Sequence, residues 1–90
     1  MKIEFDPEKR MKALQERGLD FLCAKEVFSG PTITSEDARF DYGEPRFITV
    51  GALCERMVVM VWTPRGEARR IISMRYANER EIKRFSQQMG

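Results

Sequence analysis

The segment RMVVMVWTPRGEARRIISMRY, residues 56–76, predicts the centre of the fold. Its first part, RMVVMVW (56–62), is apolar at successive positions, which is typical of a strand that is buried on both faces. The residues TPRGE (63–67) contain a proline and a glycine and suit a tight turn. ARRIISMRY (68–76) then returns as a second strand. The segment therefore predicts an antiparallel hairpin at the middle of a sheet.

Further strands are expected on the N-terminal side of this hairpin. RFITVGAL (46–53) is β-branched and alternating, and the dipeptide Cys54-Glu55 is short enough to join it to the central strand. PTITSED (31–37) indicates a weaker strand, followed by the turn-rich DYGEP (41–45). KIEFD (2–6) alternates apolar and polar residues, so we expect a short strand there as well.

Capping residues predict three helices. Asp6 and Asp20 are typical N-caps and open helices that end near residues 17 and 30, each followed by a glycine or a Gly-Pro pair. Asn78 and Glu81 have the spacing of a capping box, which opens a last helix over 79–88.

The predicted element order is β-α-α-β-β-β-β-α, an α+β domain over residues 1–90 in which an antiparallel sheet packs with helices. Alternation along the last strand places two sets of side chains on opposite faces. These sets are Arg69, Ile71, Ser73 and Arg75 on one face, and Arg70, Ile72, Met74 and Tyr76 on the other. Neither set is purely apolar, so one surface of the sheet is expected to be only partly covered by helices.

Composition excludes several classes of protein. With 42% hydrophobic residues, 90 residues can bury one modest core. The charged start MKIE is not typical of a signal peptide, and the longest apolar run, residues 57–62, is too short for a membrane helix. The chain contains no histidine, and Cys23 and Cys54 form no ligand pattern. We therefore expect a cytoplasmic protein with buried free thiols and no metal or cofactor.

Charge is distributed unevenly along the chain. Residues 1–55 hold eight Lys or Arg against eleven Asp or Glu, whereas residues 56–90 hold eight against three. The segment RRIISMRYANEREIKRF (69–85) alone has six basic residues and two acidic ones. A basic surface of this kind is typical of proteins that bind a polyanion, although a solvated face produces the same pattern.

The basic residues of the second half suit phosphate binding, because guanidinium groups form bidentate bonds to phosphate oxygens. Tyr76, Trp62 and Phe47 are candidates for stacking on unpaired RNA bases. Without histidine, proton transfer falls to residues such as Glu67, Glu81 or Tyr76. Two alternatives stay open: a non-catalytic basic module that binds nucleic acid or an acidic protein, and ion pairs in which the arginines only stabilise the fold.

Several segments in the same order carry a resemblance to a known family. IEFDPEKRMKAL, RGLDFLCAKEVF, DYGEPRFITVG, VVMVWTPRG and RRIISMRYANEREIKRF together resemble the BrnT family of bacterial type II toxins. The strongest part is the tail pattern with Arg70, Ile72, Ser73, Arg75 and Ala77, followed by Glu81 in the last helix. The resemblance implies a RelE-like fold and ribonuclease activity that inhibits translation. Together with the arginine-rich site, it leads us to expect a metal-independent endoribonuclease.

The resemblance also implies partners and site residues. The expected partners are an RNA substrate and a BrnA-type antitoxin with a ribbon-helix-helix part, through which alone the complex contacts its DNA operator. The family's basic pattern falls on Arg65, Arg70 and Arg75, which are expected to be catalytic, and on Arg46, which is expected to bind RNA. The sequence itself adds Glu67 and Tyr76 to the expected catalytic residues, as an acid and the phenol nearest to the basic cluster, and it adds Arg80, Lys83 and Arg84 of the last helix to the expected RNA-binding residues.

One position departs from the family pattern. Family members commonly carry Lys-His-Gly at the end of the first helix, where this chain has Glu16-Arg17-Gly18. The identity of a general base is therefore open in this chain.

Overall fold

The computed structural model describes residues 1–89 and contains five strands and three α-helices. The expected domain end at Gly90 lies outside the described residues. In chain order the elements are β1 (Lys2–Phe5), α1 (Pro7–Arg17), α2 (Ala24–Ser29), β2 (Thr32–Glu36), β3 (Phe47–Leu53), β4 (Arg56–Arg65), β5 (Ala68–Tyr76) and α3 (Glu79–Met89), with a 3-10 turn at Phe21–Cys23 before α2. The predicted α+β class and element order are confirmed.

The five strands form one sheet in the order β1-β5-β4-β3-β2, which puts the apolar strand β4 at its centre as predicted. The strands β2 to β5 pair antiparallel, but β1 pairs parallel to β5. The sheet is therefore mixed, which corrects the expectation of a purely antiparallel one. Two strands so far apart in sequence are brought together by tertiary packing, and neither strand carries a local signal of the direction in which they pair.

The helices α1 and α2 pack on one face of the sheet, which we call the covered face. Its core joins buried residues of these helices and their connection to buried side chains of β4 and β5. The fully buried members include Ala13, Leu19, Phe21, Ala24, Val27, Val58, Met60, Ile71 and Met74. The opposite face, which we call the open face, carries the side chains of Val59, Val61, Thr63, Arg70, Ser73 and Arg75.

A β-bulge in β5 interrupts the regular pairing with β4. Val61 lies opposite Ser73, whereas the next residue, Trp62, lies opposite Ile71. Ile72 is thus the extra residue, without a partner on β4. An extra residue shifts the alternation of side chains by one position along the rest of a strand.

The bulge overturns the predicted assignment of side chains to faces. Ile71 and Met74, which strict alternation separates, are both buried in the same core. Arg70 and Arg75, which strict alternation also separates, lie on the open face together. The prediction was wrong because period-two alternation assumes an uninterrupted ladder.

Local signals at the helix ends are confirmed. Asp6 caps α1 by accepting a hydrogen bond from the Glu8 N–H at 2.9 Å, and Gly18 ends α1 in the left-handed region with φ 69°. Asn78 and Glu81 exchange two hydrogen bonds of 2.9 and 2.8 Å between side chain and backbone, which is the predicted capping box.

Two further expectations concern the thiols and the membrane. Cys23 and Cys54 are both free thiols, as predicted, but the expected burial was wrong, since Cys23 is half-buried and Cys54 is exposed at the β3–β4 turn. Among residues 1–89, no helix combines the length and the apolar character needed to cross a bilayer.

Gly51 of β3 provides a test of how α2 packs on the covered face. A Cβ atom at this position would lie 2.7 Å from Cγ1 of Val27 and 2.9 Å from Cγ2 of Thr32. Val27 is fully buried and stiff at its β-branch, so it has no room to move aside. We expect Gly51→Ala to lower the free energy of unfolding by about 1–3 kcal/mol, measured by urea denaturation.

Gly30→Ala is the matched control, because a Cβ there meets no atom closer than the Val27 carbonyl oxygen at 3.9 Å. The control should change the unfolding free energy by no more than about 0.5–1 kcal/mol. Equal stability of the two variants would contradict the close packing of α2 on β3.

Candidate functional site

Three arginines form a row along β4 and β5 on the open face. Arg75 lies opposite Val59, Arg70 lies opposite Thr63, and Arg65 follows two residues after Thr63 on the same strand. At the rise of about 3.3 Å per residue in a strand, the distance from Val59 to Arg65 is roughly 20 Å. We call Arg65, Arg70 and Arg75 the arginine row. Its length exceeds a single phosphate group and suits several nucleotides of an extended strand.

Arg70 occupies the middle of the arginine row. Its side chain is half-buried, and it belongs to none of the ion pairs that residues 1–89 form. The parallel pairing of β1 places Glu4 beside it in register. Sequence reasoning missed Glu4, because a parallel partner strand so distant in the chain is not visible in local patterns. Arg70 is thus a cation whose donors are available to an external anion.

Arg75 is held by Glu81 from the first turn of α3. Nη1 and Nη2 of Arg75 donate to Oε1 and Oε2 of Glu81, both at 2.7 Å, and Nη1 also donates to the Tyr76 carbonyl at 3.3 Å. The hydrogen bonds from Arg75, and with them the N–H of Asn78, lower the pKa of Glu81 to about 2 against the effect of burial. Glu81 is therefore ionised at neutral pH and is a weak proton acceptor.

The loop between β2 and β3 is closed by a carboxylate that the sequence reasoning did not single out. Asp37 is buried and accepts hydrogen bonds from Nε and Nη2 of Arg39 at 2.8 and 3.0 Å and from the Tyr42 hydroxyl at 3.2 Å. The bonds from Arg39 are the largest cause that lowers the pKa of Asp37 to about 2. The charge of Arg39 also reaches Arg75, whose pKa is raised mainly by Glu81 and lowered slightly by Arg39.

The same loop is fastened to the other end of the arginine row. Glu44 pairs with Arg46 at 3.4 Å and with Arg65 at 3.3 Å. The Thr63 hydroxyl donates to the Pro45 carbonyl at 2.6 Å. The predicted residue Arg46 therefore reaches the arginine row through a shared carboxylate, while its guanidinium stacks on a tyrosine of the loop.

The helix α3 lies over the part of the open face that β2 and β3 form. A cleft of about 380 Å³ between them is lined by Ile33, Ile48, Val50 and Phe85 among others. Its rim includes Glu81 and Arg84. The open face is thus only partly covered, as predicted.

Among the predicted basic residues of α3, Arg84 lines the same cleft as Glu81. Its charge also contributes to the lowered pKa of Glu81, after the larger effects of Arg75 and Asn78. Arg80 and Lys83 are exposed on the same helix. Glu67 is exposed at the turn of the β4–β5 hairpin, next to the Arg65 end of the row.

The aromatic residues predicted to stack on bases lie elsewhere. Trp62 is 8% exposed and stacks on Phe47 with ring centroids 5.0 Å apart, both against the core of the covered face. Tyr76 also packs against this core, and the guanidinium of Arg56 covers its ring at 3.6 Å. Trp62 belongs to the core, and Phe47 and Tyr76 are partly buried against it, so the three rings lie on the covered face and not on the face of the arginine row. The structure does not bring Tyr76 to the arginine row.

In the part of the chain that the structure describes, no group of three or more His, Cys, Asp or Glu side chains is arranged to hold a metal ion.

A comparison with protein families finds a match over most of the chain. The family model described as the ribonuclease toxin BrnT of type II toxin-antitoxin systems matches residues 5–81. The match extends from β1 to the first turn of α3 and includes the whole arginine row and Glu81. A search of the curated proteins finds no match.

The two lowered pKa values predict how stability depends on pH. The pKa values of Asp37 and Glu81 fall from ordinary values of 3.8 and 4.5 to about 2 on folding. Their contribution to stability is therefore complete above the ordinary pKa values and is lost as the pH falls toward about 2. We expect Asp37→Asn to destabilise the protein at neutral pH and to flatten the acid side of the stability curve, measured by urea unfolding at a series of pH values.

Asp41→Asn is the control for this prediction, because Asp41 lies in the same loop and accepts only a backbone hydrogen bond from Gly43, which an amide oxygen accepts equally. It should keep the acid profile of the parent. An unchanged acid profile in Asp37→Asn would contradict the coupling of Asp37 to Arg39.

Proposed function

The chain belongs to the BrnT family of ribonuclease toxins of type II toxin-antitoxin systems, and from that premise we propose that it is an endoribonuclease that needs no metal ion. The observation that carries this proposal is the arginine row on the open face. Arg70 at its centre has no counter-ion among residues 1–89, whereas Arg65 and Arg75 each pair with a carboxylate. An unpaired guanidinium between two paired ones is a suitable receptor for a phosphodiester.

The proposed reaction is attack of a ribose 2′-oxygen on the adjacent phosphorus. The new P–O2′ bond forms as the P–O5′ bond breaks, the 2′-hydroxyl loses its proton, and the leaving 5′-oxygen gains one. Arg70 stabilises the charge that develops on the oxygens of the reacting phosphate. Arg65 and Arg75, on either side of it, contact the RNA toward the two ends of the arginine row. Glu67 is the proposed proton acceptor, supported by its exposure next to the Arg65 end of the row.

The departure at Arg17 does not weaken this proposal. Arg17 is the last residue of α1, and its Nη1 donates to the Met74 carbonyl at 3.4 Å from the covered side of the sheet. A histidine at this position would lie on the covered side of β5, whereas the arginine row lies on the open face. The proposed role of Tyr76 has less support than that of Glu67, because the Tyr76 ring is covered by Arg56.

The family implies an antitoxin protein as partner. We propose that this antitoxin is of the BrnA type, with a ribbon-helix-helix part through which the complex contacts its operator. The single domain over residues 1–90 is proposed to act in the cytoplasm and to inhibit translation by cutting RNA. Arg46, Arg80, Lys83 and Arg84 are proposed to bind the RNA backbone on either side of the cleaved bond.

Cleavage of RNA in EDTA tests the proposed activity. The purified parent should cut total RNA in excess chelator, leaving 2′,3′-cyclic phosphate and 5′-hydroxyl ends. Arg70→Ala should lower the cleavage rate about 10²-fold or more, because it removes the unpaired cation that stabilises the transition state. Rates are measured on a labelled oligonucleotide, and the melting temperature of each variant is measured alongside.

Lys12→Ala is the matched control, since Lys12 is an exposed cation of α1 on the covered side of the sheet. It should cleave RNA like the parent. If the parent cuts RNA without EDTA but not in its presence, that result would contradict the metal-independent reaction. Binding of RNA that weakens with salt but gives no product would favour a non-catalytic basic binding module instead.

A further inference from the structure

The guanidinium of Arg75 has donors that its ion pair does not use. An arginine has five N–H donors in a fixed plane. Two of them reach the oxygens of Glu81 and one reaches the Tyr76 carbonyl. The remaining two, on Nε and on the outer side of Nη2, lie along the same edge of the guanidinium. They find no acceptor among residues 1–89, and the side chain is 46% exposed.

This unused edge has the geometry of a phosphate receptor. Two parallel N–H donors on one edge of a guanidinium match two oxygens of a phosphate. Because Glu81 takes the end of the guanidinium, the plane of the group is fixed and the free edge keeps one direction. A phosphate can therefore bind at this edge without displacing the carboxylate.

Glu81 is itself held in place from the opposite side. Its Oε1 accepts a hydrogen bond from the Asn78 N–H at 2.9 Å, and its own N–H donates to the Asn78 side chain at 2.8 Å. Ala77, which precedes Asn78, donates its N–H to the carbonyl of Met57 on β4 at 2.9 Å. A chain of short bonds thus links the sheet, the start of α3, the Glu81 carboxylate and the Arg75 guanidinium.

We propose that Glu81 is a positioning residue, which orients Arg75 so that its free edge binds a phosphate of the RNA substrate during cleavage. The inference rests on the proposed function and adds to it a role for a residue that touches no RNA. It gives the two arginines different properties: Glu81 orients Arg75 before RNA binds, whereas Arg70 has no ion pair among residues 1–89 that would orient it. Restricting the guanidinium to one orientation lowers the entropy lost when the transition state is bound.

An opposite role is that Glu81 competes with phosphate for Arg75 and restrains activity. The two roles predict opposite effects of removing the carboxylate charge. The free edge favours positioning, because competition requires that Glu81 and phosphate share the same donors.

Glu81→Gln tests the inference, and Glu79→Gln is its matched control. Glutamine preserves the capping box at this position, so α3 should keep its start. Glu79 lies in the same helical turn and belongs to no ion pair within residues 1–89, so its substitution changes the same charge without touching Arg75. We expect the single-turnover cleavage rate of Glu81→Gln to fall roughly tenfold to a hundredfold, with a smaller change in affinity for a 2′-O-methyl RNA.

The outcomes are distinct. A cleavage rate like that of the parent, or a higher one, overturns the positioning role, and the higher rate assigns competition. A parent that cuts no RNA refutes the proposed function, and the inference is then decided by the Arg75 Nε–H resonance. A resonance that shifts on binding 2′-O-methyl RNA in the parent, and not in Glu81→Gln, supports the oriented edge, whereas equal behaviour in both overturns it.

Discussion

The extra residue in β5 is the constraint on which the core and the cationic surface both depend. With Ile72 unpaired, Ile71 and Met74 enter the same core while Arg70 and Arg75 lie together on the other face. An uninterrupted ladder would place Arg75 on the side of Ile71. It would then bury a cation or expose the core, and either change is costly. A bulge of one residue thus allows the nine-residue strand β5 to place apolar side chains in the core and arginines on the open face.

The arginines of β5 and of its neighbour β4 lie in different environments. Arg69 lies on the covered face, where its guanidinium is 4.5 Å from the rings of both Phe28 and Trp62. This cation-π contact makes it part of the core's edge. Arg75 is paired with a carboxylate, and Arg70 has none among residues 1–89. The uneven charge of the second half therefore has no single cause: part of it packs against aromatic rings, and part lies on the open face, where we propose that it binds phosphate.

Local features of the sequence predicted the elements well. The apolar run of β4, the caps at Asp6 and Asn78 and the short hairpin connections depend on neighbours within a few residues, and the structure has all of them. The bulge and the parallel pairing of β1 depend on contacts between distant segments, so alternation gave the wrong faces. The burial of Trp62 shows the same limit. An aromatic residue in a strand fits a core or a stacking surface equally well until the helices are placed.

A chemical-shift map of the isotope-labelled protein tests most directly whether RNA lies along the open face. A 2′-O-methyl oligonucleotide, which cannot be cut by its own 2′-oxygen, serves as the ligand. We expect shifts at the amides of Thr63, Arg70 and Ser73 and at the start of α3, with α1 and α2 unaffected. Shifts confined to the helices of the covered face, or no shift at RNA concentrations that support cleavage, would contradict the assignment of the arginine row to RNA.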